Sequence, residues 1–304
     1  VAPDGRELTN EEVDVEDISI LKQSLPYIQR FKGTTFVIKL GGEAMRDSET
    51  LAMLIEDITL LHLVGIRIVV VHGGGRHVTE MAESLGIESK FVGGRRITDD
   101  RSMDVLKMVL SGKISVEILS LLKKNGVKAM GVSGVAAGVI EARKRPPMKV
   151  SGSGDQLVDF GQVGDVERID TELLSMLLDK GYVPVLSPLG ADADGVVLNI
   201  NADTVASHVA SELHAEKLLY LTGAPGVMAD IKDPTTLISR LSAEEAREAI
   251  LEGIIKGGMI PKVEESLRSI NRGTNQVHIL SAIEPHQMLL EIFTQSGAGT
   301  MIVA

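Results

Sequence analysis

Two short apolar segments end in glycine runs, and a helical pattern follows each. Thr35–Leu40 (TFVIKL) leads into Gly41-Gly42, and Ile66–Val71 (IRIVVV) leads into His72-Gly73-Gly74-Gly75. A brief, almost wholly apolar run closed by glycine reads as a strand buried on both faces. Further strand signals lie at Val127–Val132, Val139–Arg143, Val158–Val163, Val183–Ser187, Leu218–Thr222 and Val277–Leu280. Helical patterns alternate with them, first to about His62 and to about Leu85. They then cover Arg101–Lys124, Thr171–Lys180, Asp203–Leu213, Ala243–Glu252, Lys262–Asn271 and His286–Phe293. Alternation of this kind predicts an α/β chain: an open, mainly parallel sheet between two helical layers.

With 304 residues, 44% of them hydrophobic, the chain can bury either one large α/β domain or two lobes. It has no cysteine, so disulfides, thiolate metal sites and cysteine nucleophiles are excluded. The seven histidines are scattered, and His208 and His214 are six apart, which is not a one-face ligand pair. No apolar run approaches the roughly 20 residues that span a bilayer. No signal-peptide pattern opens the chain, so it reads as cytoplasmic; an organelle-matrix protein trimmed of its transit peptide reads the same. Net charge is −11, and residues 1–17 carry seven acids against Arg6 alone. This acidity, with 3% aromatics and no tryptophan, argues against nucleic acid and leaves small anionic substrates open.

Residues 1–17 are expected to form an acidic, disordered tail. Ile18, Leu21, Leu25 and Ile28 recur at helical spacing, with Pro26 placed to bend the helix. That helix either packs on its own domain or serves as an oligomerisation arm. Arg145–Asp155 reads as an exposed hairpin or loop. A lobe boundary is expected at the Pro, Gly and Asp cluster near Pro188–Asp194, giving lobes 18–188 and 189–304.

Ligands of such sheets lie beyond the carboxyl ends of the strands. Gly41, Gly42, Gly74 and Gly75 are either plain tight turns or an anion cradle built from backbone N–H groups at helix starts. P-loop, dinucleotide, nucleophile-elbow and zinc-helix motifs are absent. Lys39, in the strand just before the first glycine pair, is either a snorkelling residue or a phosphate clamp. Lys262 follows Gly257-Gly258-Met259-Ile260-Pro261 at a helix start. Asp203, after Asn199-Ile200-Asn201-Ala202, is either an N-terminal helix acid or a carboxylate that orients lysines. Arg95 and Arg96 follow Gly93-Gly94 and are either solvated or a carboxylate fork.

Seven segments in order, TFVIKLGGEAM, VVVHGGGRHVTEM, GGRRITD, LNINADTVA, LTGAPGVMAD, GGMIPKVEESL and LLEIFTQSGAGTMI, resemble the acetylglutamate kinases of the amino acid kinase family. The resemblance spans about residues 18–304. The helix ILKQSLPYIQRF resembles that of the arginine-inhibited, hexameric members. It implies a carbamate kinase-like αβα fold with an extra N-terminal helix. It also implies ATP-dependent phosphorylation of the γ-carboxylate of N-acetyl-L-glutamate in arginine biosynthesis. The kindred alternatives are a relative acting on a carrier-linked aminoadipate and a catalytically silent arginine sensor.

By motif, the resemblance makes Lys39 the lysine on the transferred phosphoryl group, Lys262 the lysine on the nucleotide phosphates, and Asp203 the carboxylate that organises both. Gly41, Gly42, Gly74 and Gly75 match backbone donors, and Arg96 with Asn199 matches the grip on the substrate α-carboxylate. Thr222, Gly223, Gly226, Gly258, Met259 and Ile260 match the nucleotide pocket. Mg²⁺ would ride on the ATP phosphates, with no dedicated protein ligand. Tyr27, His278, Glu291, Gly297 and Gly299 match an L-arginine effector site, and the implied assembly is a homo-oligomer, dimer or hexamer. The chain departs from the usual pattern at Gly223, where Asp is common. It departs also at Val135-Ala136-Ala137 in place of Lys-Asp-Gly, and at Ser281-Ala282-Ile283 in place of Asp-Gly-Arg.

Overall fold

The computed structural model describes residues 15–149, 156–230 and 233–304. Its strands are β1 Thr35–Leu40, β2 Arg67–His72, β3 Phe91–Val92, β4 Arg95–Arg96, β5 Ala129–Ser133, β6 Ile140–Lys144 and β7 Gly164–Ile169. They continue with β8 Val183–Ser187, β9 Leu189–Ala191, β10 Val197–Asn199, β11 Lys217–Thr222, β12 Arg240–Ser242, β13 Gln276–Ser281 and β14 Thr300–Val303. The helices are α1 Val15–Phe31, α2 Ser48–Leu63, α3 Gly75–Ser84, α4 Asp100–Lys107 and α5 Ser115–Lys124. After these come α6 Glu172–Asp179, α7 Ala202–Glu212, α8 Ala243–Leu251, α9 Met259–Asn271 and α10 Gln287–Phe293.

The main sheet has the order β12-β14-β13-β11-β1-β2-β8-β5, parallel except for the β13–β14 pair. Side chains alternate between its faces. Phe36, Ile38, Leu40, Ile68, Val70, Leu219 and Leu221 pack with α2, α4, α5 and α10. Val37, Val69, Val71, Leu218 and Tyr220 pack with α6, α7, α8 and α9. The fold is therefore the expected three-layer α/β architecture. Residue 39 falls on the same face as Val37, so this period of two sends Lys39 toward α7.

Several elements differ from the sequence reading. The glycine pair after β1 does not open a helix directly: a 3₁₀ turn, Glu43–Met45, intervenes, and α2 starts after Asp47, which accepts from Thr50 N at 2.8 Å. The expected strand at 158–163 is replaced by isolated bridges, and β7 begins at Gly164. Gly161 ends the extended run: its φ is +70°, and any Cβ there would strike Thr98 O. Residues 101–124 do form one rod, but Met108–Ile114 inside it winds as a π-helix. Residues 189–199, read as the start of a second lobe, join β6 and β7 in a smaller sheet of order β10-β9-β6-β7.

Helix α1 starts at Val15, so the last three residues of the expected tail 1–17 are helical; residues 1–14 lie outside the described residues. Part of the 145–155 loop, residues 150–155, lies outside them as well, with an antiparallel bridge between Met148 and Val158 flanking it. Pro26 sits within α1, whose end buries Phe31 and which packs on α10. Among the described residues no helix is long and apolar enough to cross a membrane.

Candidate functional site

The centre of the site is an ion cluster. Lys39 projects from the end of β1, and its Nζ lies 2.6 Å from Asp203 Oδ1. Lys262, in the first turn of α9, places its Nζ 3.1 Å from Asp203 Oδ2. One carboxylate thus holds two ammonium groups drawn from distant parts of the chain. Asp203 is free for this because it does not cap its own helix. Asn201 does, accepting from Asp203 N at 2.7 Å and Thr204 N at 3.3 Å. Tyr220, opposite Lys39 in the β1–β11 register, donates its hydroxyl to Asp203 O at 3.0 Å.

Burial alone would raise the Asp203 carboxyl, but the two lysines outweigh it and hold it at about 2. Burial pushes the Lys39 ammonium below its usual value, with Lys262 adding repulsion and Asp203 opposing both. The cluster carries two cations against one anion, so it has a surplus positive charge beside the glycine turns. That surplus attracts an anion.

The turns themselves are tightly built. Gly41 N donates to Leu221 O at 3.1 Å, and a Cβ on Gly41 would come within 2.6 Å of the same oxygen. Gly73 N donates to Leu40 O at 2.9 Å, joining the two turns. A Cβ on Gly74 would meet Ile114 Cδ1 at 2.5 Å and Leu110 Cδ2 at 2.6 Å, both from the π-helical segment. Gly74 caps α3 and Gly75 is its first residue, so the first N–H groups of α3 open outward without helical partners.

This turn borders a cavity of about 850 Å³. Gly74, Gly75, Arg96, Asn199 and Asp203 all line it. Arg96 is fixed at its mouth: it donates to Ser89 Oγ at 2.6 Å, to Gly75 O at 2.9 Å and to Thr79 Oγ1 at 2.7 Å. Its guanidinium lies 4.7 Å over the Phe91 ring. Asn199 donates to Thr98 Oγ1 at 3.3 Å.

The cavity also contains groups absent from the sequence reading. Arg145 pairs with Asp165 across β6 and β7, at 2.6 Å. Glu265 is buried and accepts from Arg268 Nη1 at 2.9 Å and Thr204 Oγ1 at 3.3 Å. For Glu265 the one hint was its spacing with Arg268 on α9 and with Arg272 just past the helix end, and helical spacing cannot say what such a face meets; Arg145 and Asp165 left no such signal.

The residues read as nucleotide contacts lie outside that cavity. Thr222 ends β11 buried, exchanging bonds with Ala224 at 3.0 Å. A Cβ on Gly223 would come within 2.9 Å of Glu43 Cγ, and one on Gly226 within 2.6 Å of Thr300 Oγ1. Gly258 caps α9, with Met259 and Ile260 half-buried against the core. Gly42, in the glycine turn after β1, has open space above it. Among the described residues no group of three or more His, Asp or Glu is placed to hold a metal.

A second cluster gathers His278, Glu291, Gly297 and Gly299. His278 Nδ1 lies 2.6 Å from Glu291 Oε1, and Glu291 Oε2 accepts from Ala298 N at 2.6 Å and Gly299 N at 3.2 Å. Gly297, at φ +65°, leaves room for that carboxylate. Lys217, absent from the sequence reading, donates to His278 Nε2 at 3.0 Å and to Gln276; burial pulls its ammonium down to about 8. Tyr27 lies on α1, half-buried against the core.

A profile of the amino acid kinase family matches residues 34–281. An acetylglutamate kinase from Methanocaldococcus jannaschii is 46% identical over 289 residues, covering 95% of this chain and 96% of the relative. One from Carboxydothermus hydrogenoformans is 44% identical over 288 residues, covering 95% and 98%. Among solved structures, an N-acetylglutamate synthase from Neisseria gonorrhoeae, complexed with coenzyme A and N-acetyl-glutamate, superposes with TM-score 0.80 at 28% identity. That match covers 94% of this chain but only 63% of the synthase. A carbamate kinase from Giardia lamblia bound to AMP-PNP shares the fold, with TM-score 0.63 at 18% identity over 89% of this chain and 98% of that one.

Proposed function

The chain belongs to the amino acid kinase family, and from that premise we propose that it phosphorylates the γ-carboxylate of N-acetyl-L-glutamate with ATP. The product is N-acetyl-L-glutamyl 5-phosphate, an intermediate of arginine biosynthesis. The observation that carries the reading is the Lys39–Asp203–Lys262 cluster, set between the glycine turns at the edge of a cavity lined by Arg96 and Asn199.

A side-chain carboxylate is already ionised at neutral pH, so attack on the γ-phosphorus needs no general base. One carboxylate oxygen bonds to the γ-phosphorus as the bond to the β–γ bridging oxygen breaks, and ADP leaves with that electron pair. The obstacle is bringing two anions together and stabilising charge on a loose phosphoryl group. Lys39 and the Gly41–Gly42 and Gly74–Gly75 N–H groups serve the transferred group. Lys262 serves the nucleotide phosphates, and Asp203 holds both lysines in register. Arg96 and Asn199 receive the α-carboxylate, which favours a free amino acid derivative over a carrier-linked one. Thr222, Gly223, Gly226 and Gly258–Ile260 form the nucleotide side. Mg²⁺ is carried on the ATP phosphates, where it neutralises charge. We assign the cytoplasm, or an organelle matrix, as the site of action.

L-arginine is proposed as a feedback inhibitor bound near His278 and Glu291, with α1 as the arm of a dimer-based hexamer. Deletion of Ile18–Phe31 should then lower the mass seen by light scattering; an unchanged mass removes the arm. The function itself is tested by Lys39→Ala and Lys262→Ala. Each should lower turnover by at least about 10²-fold while circular dichroism stays native. Normal turnover in both variants would refute the assignment.

A further inference from the structure

His72 closes β2 immediately before the glycine turn, and it is fully buried. Its Nδ1 lies 2.9 Å from Gly73 O. A carbonyl can only accept, so Nδ1 carries the proton. Burial pulls the ring down to about 4, so it is neutral and holds a single proton. Nε2 is then bare, and it is buried with no hydrogen-bond partner among the described residues. A leucine or phenylalanine would fill this space without stranding a nitrogen, so packing does not account for a histidine here.

The carbonyl of Gly73 and the N–H of Gly74 belong to one rigid trans peptide and point in opposite directions. Anchoring the oxygen therefore aims the N–H. The backbone on either side is held as well: in the preceding peptide Gly73 N donates to Leu40 O at 2.9 Å, and Ile114 and Leu110 crowd the side of Gly74 where a Cβ would stand. Gly74 lines the cavity.

We propose that His72 is a positioning residue: its Nδ1–H fixes the Gly73–Gly74 peptide so that the Gly74 N–H points at the phosphoryl group in flight. The inference rests on the kinase reading for its purpose and on the hydrogen bond for its geometry. His72 touches no substrate and acts through one peptide plane.

The tautomer is read first, by ¹⁵N NMR of the unliganded full-length protein labelled at histidine. An Nδ1–H ring that stays neutral down to about pH 5 is the result expected, and an Nε2–H ring overturns the inference whatever the substrate. Two near-isosteric variants follow. His72→Leu removes the donor, and His72→Asn offers its amide N–H close to the position of Nδ1. Leu should lower kcat about tenfold or more while KM for N-acetyl-L-glutamate moves less than about threefold, and Asn should recover most of that loss.

Equal losses in Leu and Asn would mark a packing role and overturn the proposal, as would a Leu variant with normal kcat. If the Leu variant fails to fold, the Asn variant decides: near-normal kcat is expected, and a tenfold loss from a native fold overturns the proposal. If the wild-type protein itself forms no acyl phosphate, the kinase reading fails, and the Gly74 amide resonance decides instead. It should shift in Leu and return in Asn; an unmoved resonance overturns the inference.

Discussion

Replacing Asp203 by Asn removes one charge and leaves the shape nearly intact. In the native site that carboxylate lies 2.6 Å from Lys39 Nζ and 3.1 Å from Lys262 Nζ. At about 4 Å and an effective dielectric near 20, each such pair is worth up to roughly 4 kcal/mol before desolvation. Breaking a buried pair by deleting one partner typically costs about 3–5 kcal/mol. Lys39 is almost wholly enclosed, with 9% of its side chain exposed, whereas Lys262 is 24% exposed and better screened by water. The loss of folding stability should therefore sit at the low end, about 3 kcal/mol, and come mainly from the Lys39 side.

The kinetic effect is separable from the stability effect. The Asp203→Asn change would leave two like charges to repel one another, so the lysines would drift from the positions proposed for them, Lys39 on the transferred group and Lys262 on the nucleotide phosphates. We expect kcat to fall by at least about 10²-fold. KM for ATP should not rise, because the site becomes more positive. Acyl phosphate trapped as hydroxamate gives both constants, and thermal melting gives the stability. A folded Asp203→Asn enzyme with kcat within about threefold of wild type would refute the role given to Asp203, and so would a loss confined to KM.

The pH dependence has two limbs. Asp203 is depressed to about 2 in the folded state, so its contribution is present above the ordinary carboxylate value of 3.8 and is lost as pH falls through 2. Linkage puts that loss at about 2 kcal/mol, and acid unfolding of Asp203→Asn should lack it. Lys39 is depressed from 10.5 in the ligand-free site, so kcat/KM should fall on the alkaline side with a midpoint below that value, and a kcat/KM profile flat to pH 10.5 would contradict it. Ala137, at φ +50°, occupies the left-handed region where the resemblance places glycine. Ala137→Gly should stabilise the fold by about 1 kcal/mol and raise Tm by about 2 °C, and a lower Tm would count against strain there. Arg96→Ala should raise KM for N-acetyl-L-glutamate by about tenfold or more with a smaller change in kcat; a pure kcat effect would move Arg96 out of ground-state binding.

Much of the centre was legible in the sequence because single-residue cues sufficed. Lys39 stands out as a charge in an apolar strand beside glycine, and the period of two fixes its face. Asp203 and Lys262 each lie at a helix start. The ion cluster itself was not derivable from spacing, since residues 39, 203 and 262 meet only once β1, α7 and α9 are packed; the family resemblance supplied that grouping. The walls of the cavity were hidden for the same reason. Arg145, Asp165 and Glu265 look like ordinary surface charges until β7 and α9 bring them together. The strand reading at 158–163 failed because apolar alternation cannot reveal that Gly161 turns left-handed against Thr98.

Some departures from the family pattern also gain a physical meaning. Ser281, where Asp is common, accepts from Ile283 N at 3.2 Å and Glu284 N at 3.1 Å, so its hydroxyl caps the turn that a carboxylate would cap. The left-handed backbone at Ala137 is kept although glycine is gone. At Gly223 an Asp would bring its Cβ within 2.9 Å of Glu43 Cγ, so the side chain of Glu43 would have to move to admit it.

The most direct test of the whole account is acyl phosphate formation by the wild-type protein, trapped with hydroxylamine in the presence of ATP, Mg²⁺ and N-acetyl-L-glutamate. Hydroxamate in step with ADP is expected, strongly reduced for N-acetyl-L-glutamate α-amide, which lacks the charge proposed to sit on Arg96. No hydroxamate with N-acetyl-L-glutamate, or equal turnover of the α-amide, would contradict it.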